Sequence, residues 1–158
     1  MKKAYLVVVL LFVSCEGIDD SNSGYVMTEI TDDYSHISDP VARWKAYGLS
    51  DYVVEQSRNA FTNEYNGSYK VVVRNGVVID VLTLDDRPLE WEAREVFRSV
   101  EQLFLMADSL PSSKMEWYLI EYDSTYGYPK EIIVRPVVRA LDIQFGYSTR
   151  KIYRLVGW

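Results

Sequence analysis

The sequence predicts an α+β domain, an antiparallel sheet of about six strands with two helices packed on one face. Three observations support this fold class. Two runs of β-branched residues are separated only by Asn75-Gly76, a pair typical of a tight hairpin. Apolar residues recur at helical spacing between residues 93 and 107. Strand-like segments lie on both sides of that helical segment, so consecutive strands are expected to pair as antiparallel neighbours.

The first predicted element is a short helix over residues 41–47. Asp39 and Pro40 stand directly before it, and they are typical of an N-cap followed by the first helical position. Gly48 is suited to end the helix, because glycine readily adopts the left-handed conformation found after helix C-termini.

Three strands are predicted next, over residues 52–61, 69–74 and 77–84. The second and third are rich in valine, which favours strands. The Asn75-Gly76 pair between them predicts a type I′ turn, because both central residues of that turn need a positive φ.

A longer amphipathic helix is predicted over residues 92–109. Glu90 and Glu92 suit the positive end of its dipole, and Pro111 is expected to end it. The apolar face that would pack on the sheet consists of Ala93, Val96, Phe97, Val100, Leu103, Phe104 and Ala107.

Four strand-like segments complete the chain, over residues 115–122, 130–138, 141–147 and 151–156. In the third of these, apolar and polar residues alternate as in a half-buried strand. A helix followed by a group of three or four strands thus occurs twice, which raises the hypothesis of a duplicated α-β-β-β unit.

The N-terminus is typical of an export signal over residues 1–14. Lys2 and Lys3 precede an apolar run that is too short to span a membrane, and a small residue precedes Cys15. Residues 12–15, Phe-Val-Ser-Cys, resemble the bacterial lipobox, with Phe12 where leucine is usual. This resemblance implies that Cys15, the only cysteine of the chain, carries acyl chains such as palmitate. In lipoproteins of two-membrane bacteria, an aspartate directly after the cysteine favours retention in the inner membrane. Because Glu16 stands at that position, the resemblance implies the outer membrane, facing the periplasm. The alternative is an ordinary secretory signal with an incidental cysteine.

Residues 15–39 are predicted to form the lipidated cysteine and a disordered acidic tether, and residues 40–158 a single folded domain. The segment from residue 16 to residue 39 carries seven acidic and no basic residues, so it contributes −7. The rest of the mature chain is nearly neutral, which argues against nucleic acid as a partner. Calcium binding by Asp32 and Asp33 is a less favoured alternative, because the ligand spacing of known calcium loops is missing.

No catalytic constellation is recognisable, and no metal site or cofactor is expected. His36 is the only histidine and lies in the predicted tether, which excludes a positioned imidazole and a zinc site built from histidine and cysteine. Glu121 and Asp123 share one face of a predicted strand and could act as an acid pair. The favoured alternative is that Asp123 caps the turn that follows.

Aromatic residues are the remaining candidates for a binding site. Six of them could line a groove for a sugar or peptide, although such residues more often belong to a core: Trp44, Tyr52, Trp117, Tyr118, Tyr126 and Tyr128. Asp123 is a further candidate for binding. We expect a non-enzymatic binding or assembly module of the cell envelope, whose protein partner contacts a strand edge or the Tyr126/Tyr128 turn. The alternatives are a carboxylate-based hydrolase of envelope glycans and a small-ligand carrier, so the question of enzymatic activity stays open.

The chain contains Arg43-Trp44 followed by Tyr52, the segments 70–78 and 100–104, and above all the Glu-Tyr-Asp…Gly-Tyr-Pro motif of residues 121–129. In these features, residues 42–151 resemble a family of domains of unknown function found in bacterial secreted proteins and lipoproteins. The resemblance implies location and fold, since no activity is established for the family.

The chain departs from this family at two places. Many members carry a cysteine pair near the first strand, whereas residues 57–63 contain no cysteine. Members also tend to have an aspartate where Arg135 and Pro136 stand, so no site is expected at those two positions.

Overall fold

The computed structural model describes residues 24–60, 64–137 and 144–157. They form one seven-stranded antiparallel sheet with helices on one face, which confirms the predicted α+β class with one strand more than expected. In chain order the elements are β1 (Val26–Thr28), α1 (Pro40–Ala46), β2 (Asp51–Asn59), β3 (Gly67–Arg74), β4 (Val77–Leu82), α2 (Ala93–Val96), α3 (Val100–Ser109), a 3-10 turn (Leu110–Ser112), β5 (Met115–Tyr122), β6 (Pro129–Pro136) and β7 (Phe145–Gly157).

The strand order is β4-β3-β2-β7-β6-β5, so β2 and β7 form the centre of the sheet and β4 and β5 its edges. The N-terminal half of β7 lies between β2 and β6. Its C-terminal half lies between β2 and β1. Beyond the end of its pairing with β6, β7 thus pairs with β1 on the same side.

The element order α-β-β-β does occur twice, as α1-β2-β3-β4 and α3-β5-β6-β7. Both units keep the same strand order across the sheet, but equivalent strands run in opposite directions because all neighbours are antiparallel. A rotation that keeps the strand order and reverses the strand directions also exchanges the two faces of the sheet. Two duplicated units would therefore place α1 and α3 on opposite faces. Trp44 of α1 and Val100 of α3 belong to one core cluster on one face. The hypothesis of a duplicated unit is therefore not supported.

The predicted hairpin and the first helix are confirmed. Asn75 and Gly76 have φ values of 50° and 75°, as the primed turn requires. The Asp39 carboxylate accepts a hydrogen bond from the Ala42 amide at 2.6 Å, and Gly48 follows the helix with φ 58°. Local sequence signals therefore determine both elements.

The prediction of one continuous helix over residues 92–109 is wrong. The chain leaves helical geometry at Phe97, and α3 starts anew after Ser99, whose side chain forms a capping box with Gln102. At the break, the backbone N–H and C=O of Arg98 bond to the side chain of the buried Gln56. The Gln56 amide accepts from Arg98 N and donates to Arg98 O, both at 3.1 Å. A partner from β2 thus stabilises the interruption.

The folded region begins earlier than predicted, since residues 24–39 are ordered rather than a disordered tether. Val26–Thr28 pairs with the end of β7. Met27 and Tyr25 pack against the face of the sheet opposite the helices. Asp32 forms an ion pair with Arg154 at 3.2 Å. Backbone pairing and apolar burial outweigh the local excess of negative charge, which the composition alone could not reveal.

The last part of the sheet also differs from the prediction. The segments expected at residues 141–147 and 151–156 are one strand, β7, from residue 145 onward. Residues 138–143, and with them the start of the predicted third segment, lie outside the described residues. Phe61, the predicted end of an earlier strand, also lies outside them.

The core lies mainly between the helices and the sheet. One cluster joins α1, the start of α3 and the strands β2, β3 and β4, and a second joins the rest of α3 to β6 and β7. A smaller cluster on the opposite face contains Val53, Val72, Leu82 and Leu155. Burial on both faces explains why β2 and β3 read as runs of valine.

Candidate functional site

The turn between β5 and β6 carries the most specific sequence motif, and its residues have structural partners. The Asp123 carboxylate accepts hydrogen bonds from the amides of Thr125 and Tyr126, at 2.9 and 2.6 Å. Gly127 adopts φ 84° and closes the turn on the Asp123 carbonyl. These contacts favour the turn-capping interpretation of Asp123. Glu121 lies exposed on β5, before the turn.

The same turn is bound to α1 by Arg43. Its guanidinium donates to the carbonyls of Asp123 and Ser124, at 3.2 and 2.5 Å, and to the carbonyl of Ile37 at 2.7 Å. The Tyr47 hydroxyl donates to the carbonyl of Thr125 at 3.2 Å. We name this contact the α1–turn lock (Arg43, Tyr47 and residues 123–128). It joins the first and the last of the sequence segments on which the family resemblance rests.

Three of the aromatic candidates lie in the core. Trp44, Tyr52 and Tyr128 are 5%, 0% and 1% exposed, so none of them offers a broad face to solvent. Tyr126 is half-buried, and its ring stacks on that of Tyr128. The Tyr126/Tyr128 turn therefore packs against its own domain.

A polar network lies beneath α3 and centres on Glu101, which the sequence reasoning did not single out as a site. Trp44 Nε1 donates to Oε1 of Glu101 at 3.1 Å, and the Tyr52 hydroxyl donates to Oε2 at 2.6 Å. The Tyr52 hydroxyl in turn accepts from the Val100 amide at 2.8 Å. Burial and then the Glu101 charge raise the pKa of the Tyr52 hydroxyl, so it stays protonated and donates.

Glu101 also lines an apolar groove between α1 and α3. The groove has a volume of about 540 Å³, and its walls include Val41, Trp44, Phe104 and Leu105. Leu105 is 71% exposed and faces outward from the apolar stripe predicted for the helix. The only sequence signal for this groove was Leu105, an apolar residue that lies outside the buried face of the helix.

Strand β5 forms an open edge of the sheet. In the described part of the chain it pairs with β6 alone. Four of its large apolar side chains, Trp117, Tyr118, Leu119 and Tyr122, are each about 39–40% exposed. Tyr118 lies opposite the buried Val134, so it belongs to the helix-covered face, whereas Leu119 belongs to the other face. Both faces of this edge are therefore apolar and accessible.

The other edge, β4, is partly covered. The amide of Leu89 donates to the carbonyl of Val81 at 2.9 Å, and Leu82 forms a bridge with Pro88. Residues 83–89 thus occupy hydrogen-bonding positions along β4 that remain open along β5.

The acidic N-terminal residues have internal roles in the structure. Asp32 pairs with Arg154, and the Asp33 carboxylate accepts from the Ser35 amide at 2.9 Å. His36 lies near the Tyr34 ring, with centroids 6.5 Å apart. Within residues 24–60, 64–137 and 144–157, no group of side chains suited to a metal ion is present. No helix of these ranges has the length and apolar character needed to cross a membrane.

Comparison with known proteins identifies a family but no characterised relative. No curated protein and no solved structure matches the chain. A family described as a family of unknown function, DUF6174, matches residues 36–154, which include α1, the α1–turn lock, Glu101 and both edge strands. This match spans most of the chain, and the protein belongs to the DUF6174 family.

Proposed function

We propose that this protein is a lipid-anchored, non-enzymatic binding module of the bacterial cell envelope, and that it holds a protein partner at strand β5. The observation that carries the proposal is the open β5 edge with apolar side chains exposed on both faces. Natural sheets protect long apolar edges with charges, prolines or covering segments. Strand β5 contains no proline, and between Glu116 and Glu121 it has four consecutive uncharged residues, 117–120. This central stretch of the edge is suited to accept an extended segment of another protein.

The chemistry of the edge specifies the form of the partner. The free side of β5 offers backbone amides and carbonyls, which only another extended backbone can satisfy in register. Trp117 and Leu119 on one face, and Tyr118 and Tyr122 on the other, would supply apolar contacts to alternate side chains of that segment.

The anchor places the module at a membrane surface. Cys15, preceded by an export signal, would carry the lipid. Gly24, the first described residue, is only nine positions after Cys15, and this stretch of chain reaches about 30 Å at most. The proposed outer-membrane location, facing the periplasm, therefore keeps the domain close to the lipid headgroups.

Crosslinking in cells tests the partner at β5. With a photo-crosslinking residue at Leu119, we expect one reproducible adduct with an envelope protein. Its matched control is the same residue at Val77, which is 60% exposed on the partly covered edge β4. In a pull-down, Leu119→Lys should release the partner, while Val77→Lys should retain it. Both variants should lose no more than about 0.5 kcal/mol of stability, because both sites are on the surface.

Two results would contradict the β5 proposal. Equal adducts at the two positions would show that the edge is not selective. An adduct of twice the chain's own mass would identify a second copy, not a partner, as the occupant.

The anchor has its own test. We expect Cys15→Ala to abolish fatty-acid labelling and to release the protein from the membrane fraction. Glu16→Asp should keep the label and move the protein toward the inner membrane. Membrane association of Cys15→Ala at the wild-type level would refute lipid anchoring and leave the β5 proposal to its separate test.

A further inference from the structure

The groove between α1 and α3 contains a fixed carboxylate with acceptor capacity left over. Trp44 and Tyr52 each donate one hydrogen bond to Glu101, one to each oxygen. An ionised carboxylate has about four acceptor positions, so about two remain for other donors. Within the described ranges, no lysine, arginine or histidine nitrogen forms an ion pair with this side chain.

The surroundings of Glu101 are apolar. Val41, Leu49, Phe104 and Leu105 line the groove, and Val41 and Leu105 are 37% and 71% exposed. A groove of about 540 Å³ lies within the range of about 300–1,000 Å³ that is typical of small-molecule sites. Its size favours a compact organic molecule over a folded partner.

We propose that this groove binds a small organic molecule with a protonated amine attached to an apolar body. The amine would donate to Glu101, which Trp44 and Tyr52 hold in place, and the apolar body would replace water along α1 and α3. Because Trp44 and Tyr52 already orient the carboxylate, little ordering would accompany binding. The site lies apart from β5 and does not depend on the partner proposed there.

Lys45 is the basic residue among those that line the groove, and it lies exposed on α1. Its ammonium would repel a second cation weakly, since exposed charges are screened by solvent. Removal of this charge should therefore not weaken binding of the amine. Lys45→Met should leave amine binding unchanged or strengthen it, whereas removal of the Glu101 charge should weaken it.

The test uses three probes that share one apolar body and differ in charge: 4-phenylbutylamine, 4-phenylbutanol and 4-phenylbutyrate. They are titrated into the full chain, in the same detergent for every variant, and binding is read from NMR shifts of the α1 and α3 amides. We expect the amine to bind about tenfold or more tightly than the alcohol, because a hydrogen bond between two charged groups is stronger than a neutral one. The butyrate should bind weakest.

Two substitutions separate the charge from the apolar walls. Glu101→Gln should reduce the affinity for the amine to that for the alcohol. Leu105→Asn, at an exposed wall position where folding is not at risk, should weaken both probes and keep their ratio. Leu84→Asn, at a leucine that is 51% exposed outside the groove, is the control and should change neither affinity.

The proposal is overturned if the alcohol binds the wild-type groove as tightly as the amine, or if no probe shifts these amides. It is equally overturned if a folded Glu101→Gln variant keeps the preference for the amine. If the Glu101→Gln variant fails to fold, the Leu105→Asn variant decides. Weaker binding of both probes to Leu105→Asn, together with the amine preference of the wild type, supports the site. Unchanged binding to Leu105→Asn refutes it.

Discussion

Replacing Gly127 by alanine is expected to cost this domain about 3–5 kcal/mol of unfolding free energy. Two effects add. Gly127 has φ 84°, which strains any residue with a Cβ. The added methyl group would also overlap the carbonyl of Pro40 and contact Arg43. Because the Pro40 carbonyl belongs to the backbone of α1, the overlap can be relieved only if the turn moves away from that helix.

Gly48→Ala is the matched control for this experiment. Gly48 also has a positive φ, of 58°, but no atom lies within 4 Å of the position its Cβ would take. This variant should lose only about 1–2 kcal/mol, the cost of left-handed geometry. Urea denaturation of both variants measures the difference. Equal losses would show that the α1–turn lock can open freely and does not hold the motif.

Replacing Tyr52 by phenylalanine is expected to cost about 2–3 kcal/mol, because it removes one oxygen that serves two partners. The Val100 amide would lose its acceptor in a buried position, and Glu101 would lose its shortest donor. Tyr69→Phe is the control. Like Tyr52, which packs on Trp44, Tyr69 makes an edge-to-face ring contact, in its case with Phe97. Its hydroxyl makes no hydrogen bond within the described ranges, so a loss below about 0.5 kcal/mol is expected.

The pH dependence of stability gives a second measurement on Tyr52. Burial, followed by the Glu101 charge, raises the pKa of the folded-state hydroxyl above that of the unfolded chain, which is about 10. The folded protein therefore retains a proton that the unfolded chain loses, and stability should fall as the pH rises above about 10. Tyr52→Phe should make that fall less steep. Burial also raises the pKa of Tyr128, so a smaller alkaline effect should remain. An unchanged slope would contradict the role given to the Tyr52–Glu101 pair.

The aromatic candidates show why residue type alone does not locate a site. Trp44, Tyr52 and Tyr128 are large, polar at one end and spaced along the chain, which fits a ligand groove and a core equally well. Their burial follows from which strands become neighbours, and that depends on long-range pairing. Tyr128, for example, donates its hydroxyl to the carbonyl of Arg150 on β7 at 2.8 Å, a contact that no local pattern predicts.

The sequence by itself determined the elements governed by neighbouring residues. The fold class, the primed hairpin at Asn75-Gly76, the Asp39 cap of α1 and the turn capped by Asp123 follow from local backbone preferences and short-range hydrogen bonds. Family membership also followed from local motifs.

Only the tertiary structure decided the features that depend on distant partners. Gln56 stabilises the break between α2 and α3 across 42 positions of the chain. Pairing of β1 with β7 orders a segment whose charge favoured disorder. The open β5 edge and the Glu101 groove likewise depend on which strand lies outermost and which helices lie side by side. Burial and pairing energies arise between segments that meet only in the fold, and they outweigh local preferences of about 1 kcal/mol or less per residue.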